Sequence, residues 1–241
     1  MFSAEKEVAK TVNWIKETVL SANAKGTVLG LSGGVDSAVV SLLCKKAFPD
    51  DTLCLIMPCY SDDLDEEHAL LVAKKHDLEV EKIKLDSTYD EFRKEINSPL
   101  DDSRFALGNI KARLRMITLN YYAAKRGYLA VGPTNKSEFT IGYYTKHGDS
   151  GVDIMPIADY VKKEVYELAK FLKVPEEIVN KIPTAGLWEG QTDENEMKMS
   201  YEQLDNFIES GSAENHIKDR INMMIGRSEH KRSFPGIYKR K

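Results

Sequence analysis

The residues best placed to do chemistry stand together near the start of the chain, in Gly30-Leu31-Ser32-Gly33-Gly34-Val35-Asp36-Ser37. An apolar run, Thr27-Val28-Leu29, precedes them, and a helical run from Ala38 to Cys44 follows. A strand therefore enters a Ser/Gly turn, and the turn opens a helix. Unpaired backbone N–H groups at such a helix start, reinforced by the helix dipole, attract anions. Gly33 and Gly34 let the backbone approach a phosphate closely. The hydroxyls of Ser32 and Ser37 can donate to phosphate oxygens. Asp36 is the exception, because a carboxylate repels phosphate unless a cation such as Mg²⁺ stands between them.

The loop lacks the lysine of Gly-x-x-x-x-Gly-Lys-Ser/Thr, and it is not Gly-x-Gly-x-x-Gly. The plain alternative is a glycine-rich turn with a serine cap. Ser-Gly-Gly-x-Asp-Ser resembles the pyrophosphate loop of the N-type ATP pyrophosphatases. That resemblance implies cleavage of ATP between the α- and β-phosphates and adenylation of an acceptor.

Elements must position this loop. Val8, Val12, Ile15 and Val19 fall at helical spacing, so residues 3–20 are predicted to form an amphipathic helix over one sheet face. Thr52 to Met57 is a second buried strand, stopped by Pro58. A helix with acids in its first turn follows from Ser61. Leu78 to Leu85 alternates as a third strand near an edge, and Leu129 to Gly132 is a fourth. Arg104 to Tyr122 is one long helix with Ile110, Leu114, Ile117 and Tyr121 on one face, which suits either core or a subunit interface. Strands alternating with helices predict an α/β fold with a parallel sheet and right-handed crossovers. Ligands then sit beyond the carboxyl ends of the strands, where the loops at Ser32–Ser37 and Gly132–Glu138 both fall.

Glu138 is a candidate second carboxylate for Mg²⁺, or an ordinary solvated helix residue. The stretch from Ile141 to Pro156 is rich in Gly and Tyr and brings Lys146, Asp149 and Asp153 close in sequence. It suits ribose binding or ring stacking, and equally a plain surface loop. Helices are predicted over Val161–Leu172, from Pro175, over Met199–Glu209 and over His216–Ile225. Ile182 to Glu194 has no period, and loops of that length are often functional lids. Leu187–Met197 and Arg227–Phe234 are expected to be mobile until substrate binds. The tail from Glu229 to Lys241 is basic.

The chain has 241 residues, 42% hydrophobic and 30% charged, enough for a large core. Its net charge of −4 argues against a general nucleic-acid binder. Cys44, Cys54 and Cys59 form no C-x-x-C pair and suit a reducing cytoplasm. No apolar run is long enough for a membrane span, and the first residues lack a signal-peptide core. A cytoplasmic protein without membrane or nucleic-acid partners is expected.

Taken together, these stretches resemble one family, the ammonia-dependent NAD synthetases. The resemblance rests on Gly30–Ser37, Gly108–Met116, Asn135–Glu138, Gly142–Asp149, Pro183-Thr184-Ala185, Leu187-Trp188 and Glu229–Arg232, in order along nearly the whole chain. It implies a doubly wound, Rossmann-like fold of the adenine nucleotide alpha hydrolase type. It implies a ligase that adenylates the nicotinate carboxylate of deamido-NAD with ATP and lets ammonia displace AMP, the last step of NAD formation. By that resemblance Gly30, Leu31, Ser32, Gly33, Gly34, Val35, Asp36 and Ser37 hold ATP together with Lys162 and Thr184. Among these, Ser32, Asp36 and Ser37 would be catalytic. Asp36 and Glu138 would bind Mg²⁺, and Arg113, Lys146, Asp153, His230 and Lys231 would hold deamido-NAD. A homodimer sharing the dinucleotide site is implied, with the Arg113 helix at its interface.

The family usually reads Gly-Thr-x-Asn after the fourth strand, whereas Gly132-Pro133-Thr134-Asn135 stands here. Pro133 has neither hydroxyl nor N–H, so one ATP contact is lost or falls to its carbonyl. Only about 25 residues precede the loop, below the ~50 of a small domain, so one domain without a glutaminase is expected, using free ammonia or ammonia supplied by a separate protein. Asp149 is a candidate base for ammonium. Adenylation is chemically necessary here, since ammonia does not displace carboxylate oxygen. Two anionic reactants must meet, so positioning and charge screening would carry catalysis. The rivals are a guanylate-forming or tRNA-modifying ATP pyrophosphatase and a nucleotide sensor. The absence of C-x-x-C and the net charge weigh against the former, and Asp36 against the sensor.

Overall fold

A computed structural model describes residues 2–99, 103–188 and 190–240. Four strands run parallel in the order β3-β2-β1-β4: β1 (Gly26–Gly30), β2 (Thr52–Ile56), β3 (Glu79–Lys82) and β4 (Tyr128–Val131). Alternation decides the faces. Leu29, Cys54, Ile56 and Val131 point into one core, and Val28, Leu53, Leu55 and Ala130 into the other. The first core is closed by α1 (Ala4–Ser21), α2 (Val35–Ala47), α3 (Asp63–His76) and α7 (Lys162–Phe171). The second is closed by α4 (Asp86–Glu95) and α5 (Arg104–Arg126). Helices on both faces of a parallel sheet make the doubly wound fold that the sequence predicts.

The remaining helices are α6 (Lys136–Ile141), α8 (Glu176–Val179), α9 (Asp193–Met197), α10 (Tyr201–Ser210) and α11 (Asn215–Ser228), followed by a 3₁₀ turn at Glu229–Lys231. Ile141, Met197, Leu204 and Ile221 form a third, smaller core among α6, α9, α10 and α11. The predicted aperiodic run into Glu194 therefore ends in a short helix anchored by the fully buried Met197.

Two elements depart from expectation. Helix α4 has no sequence forecast, because its polar residues outnumber the buried Tyr89 and Arg93. On α5, Ile110 and Leu114 pack on the second core, but Ile117 and Tyr121 are each 59% exposed. The four do not share one environment, and the buried face is instead Gly108, Lys111, Ala112, Leu119 and Ala123.

β3 is one margin of the sheet and carries charges, with Arg126 pairing Glu79 at 2.8 Å and Glu81 at 2.9 Å. At the other margin, a bridge from Val131 to Ile154 extends β4. The crossover from β1 to β2 runs through α2 on the first core, and that from β3 to β4 through α4 and α5 on the second.

Candidate active site

The loop after β1 is held by its own serines. The Ser37 hydroxyl donates to Gly34 O at 2.9 Å and accepts from Ser32 N at 3.2 Å. The Ser32 hydroxyl lies 3.0 Å from that of Ser37. Both hydroxyls thus brace the turn, a use the sequence reading did not foresee. Gly33 has φ +78°, and a Cβ there would meet Asp65 O at 2.1 Å. Only glycine suits both the left-handed backbone and the close approach of α3.

Asp36 lies in the first turn of α2 and is met from two other elements. Asn135, after β4, donates its amide to Asp36 Oδ1 at 2.8 Å. The Lys162 ammonium, at the start of α7, donates to Asp36 Oδ2 at 2.5 Å and lies 3.6 Å from Glu138 Oε1. The same Asn135 caps α6, accepting the Glu138 N–H at 2.9 Å, while Glu138 Oε2 accepts the Asn135 N–H at 3.4 Å. This capping box fixes Glu138 relative to Asp36. Lys162 is fixed through its backbone, whose N–H donates to the Ser137 hydroxyl at 3.0 Å. Asp205 accepts from that hydroxyl at 2.5 Å and from the next N–H, that of Lys163, at 2.9 Å. Loops from β1 and β4, separated by about a hundred residues, thereby meet at one corner.

Lys162 is only 2% exposed. Burial works against its charge, but Asp36 and Glu138 outweigh burial and hold it protonated well above the usual lysine range. Burial, with the Asp36 charge second, pushes Glu138 up to about 8. Burial also raises Asp193, which faces the same cluster. Acidic groups outnumber the single ammonium, and the raised pKa values show that this corner favours an added cation, whether a proton or a metal ion.

The corner opens onto a cavity of about 520 Å³. Its lining includes the loop residues Gly30, Leu31, Ser32, Gly34, Val35, Asp36 and Ser37, together with Glu138, Lys162, Thr184 and Lys231. Gly33 is turned away against Asp65. Pro133 and Thr134 also line it. Thr184 accepts Gly186 N–H at 3.1 Å, shaping the turn into Leu187 and Trp188. Lys231 donates to Gly142 O at 2.7 Å and Tyr144 O at 2.5 Å. The carboxylate of Asp149 also lines the cavity and accepts the Thr145 N–H at 2.8 Å, and burial raises its pKa.

The other expected dinucleotide residues do not border this cavity. Lys146 donates to His230 O, and Arg113 donates to Lys146 O at 3.3 Å, so the half-buried Lys146 joins the exposed Arg113 and His230 in one cluster on the rim of α5. Asp153 is exposed, but its carboxylate accepts the Ala130 N–H at 2.7 Å and so closes the margin of β4. Several polar side chains of the site were given no role of their own from the sequence: Asn135, Arg115, Tyr143, Asp193, Glu196 and Tyr201. Asn135 alone was discoverable, because Asn followed three residues later by Glu is a capping signature. Arg115 donates to Met57 O and to the Ser61 hydroxyl, both at 3.1 Å, and joins the loop after β2 to α5.

The fold and this corner define a nucleotide-binding α/β enzyme of the adenine nucleotide alpha hydrolase type. The NAD synthase family profile matches residues 7–235, and the chain belongs to that family. It is 50% identical over 221 residues to the NH(3)-dependent NAD(+) synthetase of Finegoldia magna, covering 92% of this chain and 90% of that one. Among solved structures it is similar to an NMN synthetase from Francisella tularensis, with TM-score 0.95, 36% identity and 99% of each chain covered. It is also similar to an NH3-dependent NAD synthetase from Campylobacter jejuni, with TM-score 0.83, 30% identity and coverage of 99% of this chain and 100% of that one.

Proposed function

We propose that this chain amidates the nicotinate carboxylate of deamido-NAD with ammonia at the expense of ATP, releasing AMP and pyrophosphate in the last step of NAD formation. It is a ligase that makes a carbon–nitrogen bond. The observation that carries the reading at this site is the meeting of Asp36, Glu138 and Lys162 at a phosphate-type loop that opens on the cavity.

The backbone N–H groups at the start of α2 would receive the ATP phosphates. Lys162 would lie beside the leaving pyrophosphate, where its charge is worth most as negative charge develops. Asp36 and Glu138 fit Mg²⁺: both are hard oxygen donors, and burial with mutual repulsion favours a cation between them. Among the described residues no group of three or more acids, histidines or cysteines forms a metal site alone, so phosphate oxygens and water would complete the set. When bound, Mg²⁺ would supply charge neutralisation for the approach of carboxylate and ATP.

Lys231, at the cavity wall, supports contact with deamido-NAD, and the cluster of Arg113, Lys146 and His230 would take part of it at the rim. Asp153 would act by shaping the β4 margin. Asp149, which lines the cavity with a raised pKa yet stays open to solvent, suits acceptance of a proton from ammonium. A single domain using free ammonia is supported by relatives named as NH(3)-dependent and matched along nearly their full length. A homodimer is supported by the exposed Phe105, Ile117 and Tyr121 on α5. Among the described residues no helix is long and apolar enough to cross a membrane, and the free, buried Cys44, Cys54 and Cys59 suit a reducing cytoplasm.

A second reading is favoured by the TM-score of 0.95 to an NMN synthetase: a mononucleotide bearing the same carboxylate could be the acceptor. One assay separates them. The protein is given ATP, Mg²⁺ and ammonium with equal deamido-NAD and nicotinate mononucleotide, and the products are resolved by chromatography. NAD and AMP in equal amounts are expected. Predominant NMN would replace the first reading with the second, and AMP without either amide would overturn both.

A further inference from the structure

The buried polar groups do not stop at Glu138. Tyr201 opens α10 and is 6% exposed. Its hydroxyl is 3.1 Å from Glu138 Oε1 and 2.9 Å from Asp193 Oδ2. Its ring faces the Lys162 ammonium, 4.7 Å from the centroid. Asp193 Oδ1 is 3.2 Å from the Tyr143 hydroxyl, which lies 2.6 Å from Glu196 Oε2. The Gln191 amide donates to that glutamate oxygen at 2.8 Å, and its own carbonyl accepts the Leu187 N–H at 2.8 Å. An unbroken hydrogen-bonded path thus joins the carboxylate beside Asp36 to the backbone of Leu187. Leu187 and Trp188 are a wall of the cavity. Helix α5 grips the far side of that wall, with Lys111 Nζ donating to Leu187 O at 2.9 Å.

A packing role alone accounts poorly for this path. The third core already seats α9 and α10 through Met197, Met199 and Leu204. Buried polar groups add risk to a fold unless each is satisfied. Each phenol has one proton yet lies between two carboxyl groups, so it donates to one at a time. A change in what Glu138 accepts redirects the Tyr201 hydroxyl, which alters what Asp193 receives, and Tyr143 repeats the choice. Such a path has two discrete arrangements, as coupling between sites requires.

We propose that Tyr201, Asp193 and Tyr143 are positioning residues that couple occupancy of the ATP site to the placement of the Leu187–Trp188 wall. This rests on the assignment of ATP to the loop after β1. ATP binding would set the partners of Glu138 and Lys162, and the path would then order the surface against which the acceptor is held.

Hydrogen exchange of amides in residues 187–197 tests this, with and without ATP and Mg²⁺ and with no acceptor present. In the unaltered protein, ATP is expected to slow exchange by about tenfold, the scale of one hydrogen bond to a charged group. Tyr143→Phe touches neither Glu138 nor Lys162; it should lose that slowing while ATP affinity by calorimetry stays within about twofold. In turnover, its KM for the acceptor should rise while its KM for ATP does not. Tyr201→Phe keeps the ring against Lys162 and should lose the slowing too; if it does not fold, Tyr143→Phe decides. Full slowing in a folded Tyr143→Phe, or none in the unaltered protein with ATP bound, overturns the coupling. Absence of ATP binding by calorimetry overturns the ATP-site assignment and the coupling with it, a failure distinct from the other two.

Discussion

Lys162 and Asp36 stand 126 positions apart in sequence, yet their charged groups meet at 2.5 Å. Neither charge could be buried there alone, because an isolated ion in a protein interior is too costly. Replacing the ammonium by an apolar chain of similar length should therefore damage both fold and reaction. Lys162→Met is expected to lower stability by about 3 kcal/mol in urea unfolding and to cut kcat by about 100-fold or more. A variant of unchanged stability would mean that Asp36 does not depend on this lysine.

Stability of the ligand-free protein should depend on pH in a definite direction. Burial and the Asp36 charge push Glu138 up to about 8, against an unfolded value of ~4.3. Between those values the folded chain keeps a proton that the unfolded chain has lost. Stability thus falls as pH rises through this window and levels off above about 8. Asp149 and Asp193, also raised by burial, act with the same sign. Thermal midpoints from about pH 5 to about pH 9 should show the decline, with a shallower slope in Glu138→Gln. Identical slopes in both proteins would sink the assignment to Glu138.

Gly33→Ala should be poorly tolerated. Its φ of +78° suits glycine, and the added Cβ would sit 2.1 Å from Asp65 O. The loop must shift away from α3, and ATP affinity by calorimetry should weaken by about tenfold or more. An unchanged dissociation constant would place ATP elsewhere.

Asp153 separates a structural from a binding role. Asp153→Ala leaves the fully buried Ala130 without its carboxylate partner, held at 2.7 Å in the intact chain. A loss of about 1–3 kcal/mol is expected. A raised KM for deamido-NAD at unaltered stability would instead assign Asp153 to the substrate.

Ile117→Glu adds a charge to the exposed apolar face of α5, where Ile117 and Tyr121 are each 59% exposed. Sedimentation should report a dimer for the unaltered protein and a monomer for the variant. A monomer in both would remove α5 as a subunit interface.

Much of this arrangement was legible in the sequence, for identifiable reasons. Buried parallel strands are short apolar runs, so β1, β2 and β4 stood out beside their turn residues. The loop after β1 was legible because its chemistry is local, all within eight consecutive residues. Helix α4 was not, since its amphipathic pattern rests on polar residues and one buried arginine. Tyr201, Asp193 and Tyr143 were illegible because their meaning lies in tertiary contacts across three elements. Asp153 sat in a stretch that offered both substrate and surface roles, and its hydrogen bond to Ala130 depends on a sheet margin that spacing does not reveal.

The charged margin of the sheet bears on how copies of this molecule can live side by side. With Glu79 and Glu81 engaged by Arg126, β3 offers any approaching strand a row of fixed carboxylates and a guanidinium instead of a greasy template. Neighbouring molecules in a crowded solution are thus denied the route to fibres that an open parallel sheet otherwise provides. Association is left to the helical flanks, where it is finite and self-limiting.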